Sequence, residues 1–261
     1  LKLVQINMLQ IRYTKMSYEY RLKAILLVNH ILAITGLYVA GFSGWLWLTL
    51  AGWILFGKVG GEIGLHRYLA HQSFETGPLR RKLLVFLSAF NCFGSPVLWC
   101  SIHRKHHVVP DMKGDPHGDQ AGWKVWSTFW EPFHIERKYV VDLIRDPFIK
   151  FMHTHYLKIL LGVYGVLALI DWRIPVFLIS LPAVITFHSA GAVNVLCHKY
   201  GERLFNTPDR STNNHIVNLL TLGSGLHNTH HAEPKNWSNK KRWYDLDLPG
   251  SIIKYFFIKA S

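Results

Sequence analysis

No charged side chain occurs between Lys23 and Lys58, and an uncharged run of that length leaves few folds open. A helix needs about 20 residues to cross a bilayer. The run from Ala24 to Gly57 therefore reads as two spans joined by a tight turn at Gly41-Phe42-Ser43-Gly44, the second continuing toward His66. A second apolar region extends from Tyr156 to His198 and is interrupted by Asp171-Trp172-Arg173. Asp171 suits a cap and Pro175 a first helical turn, so two further spans are expected over 156–170 and 174–196, with a kink at Pro182. Composition supports a membrane chain. Charged residues make up only 17% and aromatic residues 14%, where an ordinary soluble domain carries about 25% charge. A disordered chain needs low hydrophobicity, and a nucleic-acid binder displays its basic residues on a polar, soluble domain. Neither class fits, and no nucleic-acid partner is expected.

The stretch from Leu83 to Ile102 is also uncharged, yet Arg80, Arg81 and Lys82 precede it and Arg104 and Lys105 follow it. Flanks that are basic at both ends belong on the same, cytoplasmic side. Asn91, Gly94, Ser95 and Pro96 interrupt its middle. The segment reads as re-entrant or as lying at the membrane surface. Four spans, about 24–40, 45–65, 156–170 and 174–196, then leave 66–155, 197–261 and both termini in the cytosol. The net charge of +13 becomes the positive-inside bias of those loops.

Three smaller features bear on class. Cys92, Cys100 and Cys197 form no C-x-x-C pair and fall in apolar stretches, so no disulfide framework is expected. The amino terminus lacks the apolar core and cleavage site of a signal peptide and reads as part of the mature protein. Trp123, Trp126 and Trp130 recur at helical spacing beside Lys124, either along a helix in the headgroup layer or packed against the soluble part.

The chain has 16 histidines, and eight of them form three clusters. His66 and His71 are H-x4-H; His103, His106 and His107 are H-x2-H-H; His227, His230 and His231 repeat H-x2-H-H. Offsets of three and four place imidazoles on one helix face, where they converge on a metal. An offset of five turns the second ring away by about 140° on an α-helix, so one member of the first pair is expected beyond its helix end. Packing explains a lone histidine in an apolar setting, but not two distant copies of H-x2-H-H at membrane boundaries. In the four-span topology all three clusters reach the same cytoplasmic face. Imidazole suits Zn, Cu, Fe and Ni. Eight ligands overfill a zinc site of three or four but supply two metals with open positions. Two irons can activate oxygen, whereas zinc has no redox chemistry.

In this order and on four spans, the clusters resemble those of the integral-membrane fatty acyl desaturases, the stearoyl-CoA desaturase type. Gly64-Leu-His66-Arg67, Asp115-Pro-His117, Val193-Asn194-Val-Leu-Cys-His198-Lys-Tyr-Gly201 and Gly225-Leu-His-Asn-Thr-His-His231-Ala-Glu-Pro234 are all similar to the family's motifs. The resemblance covers roughly residues 24 to 245. It implies an all-α integral membrane fold of one domain, with four spans, a re-entrant or interfacial helix, and a cytosolic helical cap carrying the histidines. It also implies two iron ions held by His66, His71, His103, His106, His107, His198, His227, His230 and His231, with Asn194 reaching one iron through a water. On the residues alone His198 reads as a packed histidine; the resemblance makes it a ligand.

The implied reaction is O2-dependent insertion of a cis double bond, of the delta-9 type, into an acyl chain carried on CoA, a carrier protein or a lipid. The electrons come from a separate donor such as a cytochrome b5 or a ferredoxin, for which a basic face suits an acidic partner. Phe93 to Leu98 and Cys100 to Ile102 lack the polar and charged residues by which the animal enzymes hold CoA, so the chain is closer to the bacterial acyl-lipid type. Trp99 reads either as a wall of the substrate tunnel or as an interfacial anchor. Lys58 and Glu62, one turn apart in a span where the family is apolar, read either as a mutually neutralising pair or as a polar element of the tunnel. His117 reads as a group orienting a ligand or as a loop contact, and His30, His134, His153, His155, His188 and His215 as structural. The runner-up activity is a related di-iron hydroxylase or ketolase. A metal transporter would place its ligands near the bilayer midplane, not at its edge.

Overall fold

The computed structural model describes residues 22–41, 44–117 and 135–258. The tryptophans at 123, 126 and 130, His134 and most of the amino-terminal segment lie outside those residues. Among the described residues the chain is helical, with isolated bridges Glu202–Asn213 and Asn213–Leu226 but no strand. Three helices are long and apolar enough to cross a membrane: α1 (Leu22–Ala40), α2 (Trp45–Ala70) and α8 (Arg173–Leu196). Helices α3 (Pro78–Asn91) and α4 (Pro96–Val108) form a pair bent by 85°, and α6 (Pro147–Thr154) and α7 (Tyr156–Ile170) a pair bent by 69°. The short helix α5 (Val141–Arg145) precedes α6, and α9 (His215–Leu220), α10 (His227–Ala232) and α11 (Leu248–Ile252) complete the carboxyl-terminal part.

Helix ends follow local chemistry. Gly41 closes α1 at φ 63°, a conformation that costs a residue without Cβ little. Ser95 caps α4 by accepting from the Leu98 N–H at 3.3 Å, with Pro96 at the first turn. Asp146 caps α6 in the same way. Between α3 and α4, Cys92 (φ 64°) and Gly94 (φ 91°) are left-handed and turn the chain back. This bend falls within the stretch expected to be re-entrant. The helix expected over 156–170 has those bounds: α7 has 15 residues, under the length that spans hydrocarbon. It reaches further only through the bend into α6. Where a kink at Pro182 is expected in the last span, the helix stays continuous and carries a π-helical segment, Val176–Ser180, two residues before Pro182. The wider turn accommodates a residue that has no N–H to give.

Helix α2 is the axis of the molecule. A Cβ on Gly52 would lie 2.1 Å from the Leu178 carbonyl oxygen of α8, and one on Gly60 2.6 Å from that of Leu87 in α3. Only glycine allows backbones so close, a recurrent device of helices packed in membranes. Phe56, Leu65, Leu69, Val85, Phe90 and Ile179 form the main core around this axis. Outward, α1 exposes Leu27, Ile31, Ile34 and Tyr38, and α7 exposes Leu161, Val166 and Leu169. So large an apolar exterior suits a hydrocarbon surround. The three cysteines are free and buried.

Candidate metal centre

The carboxyl-terminal end of α2 delivers the first two histidines. From Trp53 to Ala70 this helix is π-helical, and the His71 N–H donates to the His66 carbonyl at 3.1 Å. Closing a turn at i→i+5 winds about one more residue into it than the 3.6 of an α-helix. Rings that an α-helix would hold apart therefore stand 4.9 Å from each other, centroid to centroid. His71 is also the first residue beyond the helix, as the spacing predicts. Arg104 donates to the last carbonyls of α2, Leu69 at 2.6 Å and Ala70 at 2.9 Å, and so secures the turn from which His71 projects.

Helix α4 supplies His103, His106 and His107; α10 supplies His227, His230 and His231; His198 follows the end of α8. Together they make two groups, His66, His71, His103, His107 and His230 in one, and His106, His198, His227 and His231 in the other. Within each group the candidate ligand nitrogens all lie within 4.8 Å of one another. Each H-x2-H-H is thus shared. Its i,i+4 pair faces one group and its middle residue the other, because offsets of three and four fall on slightly different sides of the helix. The two groups adjoin, with the rings of His107 and His231 4.6 Å apart.

Carboxylates stand behind the imidazoles. The Nδ1 of His66 lies 3.1 Å from Glu62, that of His106 2.9 Å from Asp115, that of His198 3.1 Å from Asp111, and that of His231 3.0 Å from Asp209. An ionised carboxylate only accepts, so the ring proton sits on Nδ1 and the Nε2 lone pair points inward. Those Nε2 atoms face each other at 3.0 Å for His66 and His230, 3.3 Å for His106 and His231, and 3.0 Å for His198 and His227. Lone pairs held this close repel unless a cation lies among them. The donor set fits two metal ions, each with a second layer of carboxylates orienting the rings.

Burial, with neighbouring imidazoles adding to it, pushes His71 down to about 2 and His227 and His230 well below the usual imidazole value. The rings are therefore neutral, the form that binds metal. Burial works to raise Asp209, but hydrogen bonds from His231 and Ser211 and the His231 charge overcome it and hold the carboxyl far below its ordinary range.

The remaining expected residues meet at one open cavity. Trp99, Lys58 and Asn194 all line it, beside His66, His103, His227 and His230. Trp99 stacks on His103 at 4.7 Å, and Asn194 Nδ2 lies 3.5 Å from His117 Nδ1. Lys58 and Glu62 do not pair directly among the described contacts. Lys58 donates to the Ser224 hydroxyl at 3.3 Å, and that hydroxyl donates to Glu62 at 3.0 Å. Glu62 gives its other oxygen to His66, a more specific role than charge neutralisation.

His117 meets His106 edge to face at 4.7 Å, but Asp115, two residues earlier, is the group that orients that ring. His153, bonded to Ser95, and His215, bonded to Glu202, stand away from both groups, as does the pair His30 and His188. Sequence reasoning passed over Asp111, Asp115 and Asp209 as partners of the imidazoles. Asp111 and Asp115 follow His107 closely, a signal that was available. Asp209 lies 22 residues before His231, in a loop with no signature.

A family model described as fatty acid desaturase matches residues 43–249 of the chain. An acyl-CoA C20 delta-5 desaturase of Anemone leveillei is 31% identical over 251 residues, covering 87% of this chain and 78% of the relative. An sn-1 stearoyl-lipid 9-desaturase of Anabaena variabilis is 32% identical over 209 residues, covering 77% and 76%. An sn-2 palmitoyl-lipid 9-desaturase of a Nostoc species is 30% identical over 236 residues, covering 85% and 81%.

Proposed function

The chain belongs to the fatty acid desaturase family, oxidoreductases that introduce double bonds into acyl chains, and on that premise we propose that it is an O2-dependent acyl-lipid desaturase of the delta-9 type with an all-histidine di-iron centre. The observation that carries this reading is the convergence of nine imidazoles into two adjoining groups beside one cavity. His66, His71, His103, His107 and His230 would hold one iron, and His106, His198, His227 and His231 the other, with Asn194 reaching a metal through a water. Such a pair supplies the oxidant needed to remove hydrogen from an unactivated carbon. The protein's part is position and dryness. Trp99, Phe187, Ala190 and Val193 line the cavity and would hold the acyl chain against the histidine face while excluding bulk water.

In the proposed four-span topology this face lies on the cytosolic side, with α3 and α4 entering and leaving the membrane there; the 85° bend between them supports that reading. The basic surface there suits an acidic electron donor such as a cytochrome b5 or a ferredoxin. Named relatives act on acyl-lipids at position 9 and on acyl-CoA at position 5. The want of charged CoA-holding residues around Trp99 favours the lipid-linked substrate.

Expression in a host with no desaturase of its own, followed by analysis of total lipid, tests the proposal. New cis double bonds at a fixed position are expected. New hydroxyl groups without double bonds would assign the protein to the hydroxylase branch of this chemistry.

A further inference from the structure

The cavity has a more polar wall than an alkyl chain needs. Lys58 is 3% exposed and Asn91 1%, and both line it. The wall's hydroxyls have already committed their protons: Thr186 donates to the Pro182 carbonyl, Ser189 to that of Ile185, and Ser224 to Glu62. Two groups have not. Asn91 uses its Oδ1 to accept from the Phe93 N–H at 2.9 Å, while its Nδ2 is buried with no acceptor. Lys58 has three N–H donors and spends one on Ser224; it also lies 5.3 Å from the centre of the Trp53 ring. The Trp53 Nε1 is a third buried donor without an acceptor. Unfilled donors in an apolar interior are costly, and here Lys58 and Asn91 line the same cavity. What they lack is acceptor oxygen.

We propose that the cavity is built for an acyl chain that already bears an oxygen function, a hydroxyl or a carbonyl, seated against Lys58 Nζ and Asn91 Nδ2. The inference rests on the acyl-chain reading of the cavity given above and names the class of chain it takes. The group is uncharged, because Glu62, linked to Lys58 through Ser224, already supplies the counter-charge within the span. Its place along the chain is set by the helix. Lys58 lies eight residues before His66 on α2 and its amine is linked to that ring through Ser224 and Glu62, so the oxygen sits at a fixed offset from the reacting carbons. Gly61, which also lines the cavity, keeps the helix surface clear beside Asn91, whose Nδ2 would lie 3.4 Å from a Cβ there. An upstream oxygenase or an incompletely reduced acyl chain would supply such a substrate.

The test is binding without turnover. Methyl stearate and its mono-hydroxy and mono-oxo isomers, with the oxygen moved along the chain, displace a fluorescent acyl probe from the purified full-length protein in nanodiscs. One position is expected to bind about tenfold more tightly than methyl stearate, the scale of one well-made hydrogen bond to a charged donor. The hydroxy and oxo isomers identify which oxygen is preferred. Lys58→Met and Asn91→Leu should each bring the ratio close to one. Should K58M fail to fold, N91L and Lys58→Arg read the same ratio. If no isomer exceeds methyl stearate, or if the preference survives both substitutions, water occupies these donors and the proposal is wrong. Because no oxidation is involved, a positional preference without desaturation in the host would sink the desaturase reading alone. Desaturation without preference would sink only the oxygen seat.

Discussion

The carboxylates behind the histidines act residue by residue. Asp209 accepts from the Nδ1–H of His231 and is further held by the Ser211 N–H at 2.8 Å. Asp111 binds His198 Nδ1 and also accepts from the Arg210 N–H at 2.7 Å. Each acid thereby fixes both tautomer and ring angle. Asp209→Asn is expected to weaken iron or cobalt binding by about 10- to 100-fold in competition with a chelator, while leaving helix content intact. Unchanged affinity would mean that Asp209 is a loop contact only. The imidazoles themselves were legible because their spacing is local. Their acidic partners were harder to see, since Asp209 meets His231 through a fold that returns over many residues, and no period in a sequence encodes that return.

At the scale of elements, α2 does the most. Its existence was legible from the missing charges, but its winding was not. The i→i+5 closure that brings His71 beside His66 depends on neighbours, among them Arg104 of α4 on the terminal carbonyls. The glycine face of the same helix sets how near α3 and α8 come. Gly60→Leu is expected to lower stability by roughly 1–3 kcal/mol, the usual cost of overpacking, because its Cβ meets backbone of α3 that cannot swing aside. Thermal unfolding of the metal-free protein in detergent measures this, and an unaltered midpoint would contradict the packing described. The last span shows the complementary case. Pro182 suggests a kink, and the structure instead keeps Arg173–Leu196 as one helix wound as a π-helix over Val176–Ser180, where carbonyls that precede a proline lose a donor.

Across the whole molecule, the two histidine groups tie together helices far apart in the chain. One group draws on α2, α4 and α10, the other on α4, α10 and the end of α8. A second tie runs from α2 to the carboxyl-terminal part, where buried Arg67 donates to Asp247 at 2.7 and 3.0 Å and to the Trp237 carbonyl at 2.6 Å. Metal bound at such a junction cross-links the folded state alone. Stripping it with a chelator should lower the unfolding temperature by on the order of ten degrees, from about 4 kcal/mol of linkage at a thousandfold excess over Kd. Restoring iron should reverse the loss; no shift would argue against metal at these groups.

By itself the sequence determined the helical class, the apolar segments and the eight clustered histidines, since hydropathy and short-range spacing are properties of neighbouring residues; His198 became a ligand only through the family resemblance. Tertiary structure alone decided how those histidines divide into two groups, which acids hold them, and that Lys58 and Asn91 face one cavity. Each of these depends on chain segments meeting across long separations, where close packing rather than pattern selects the partner.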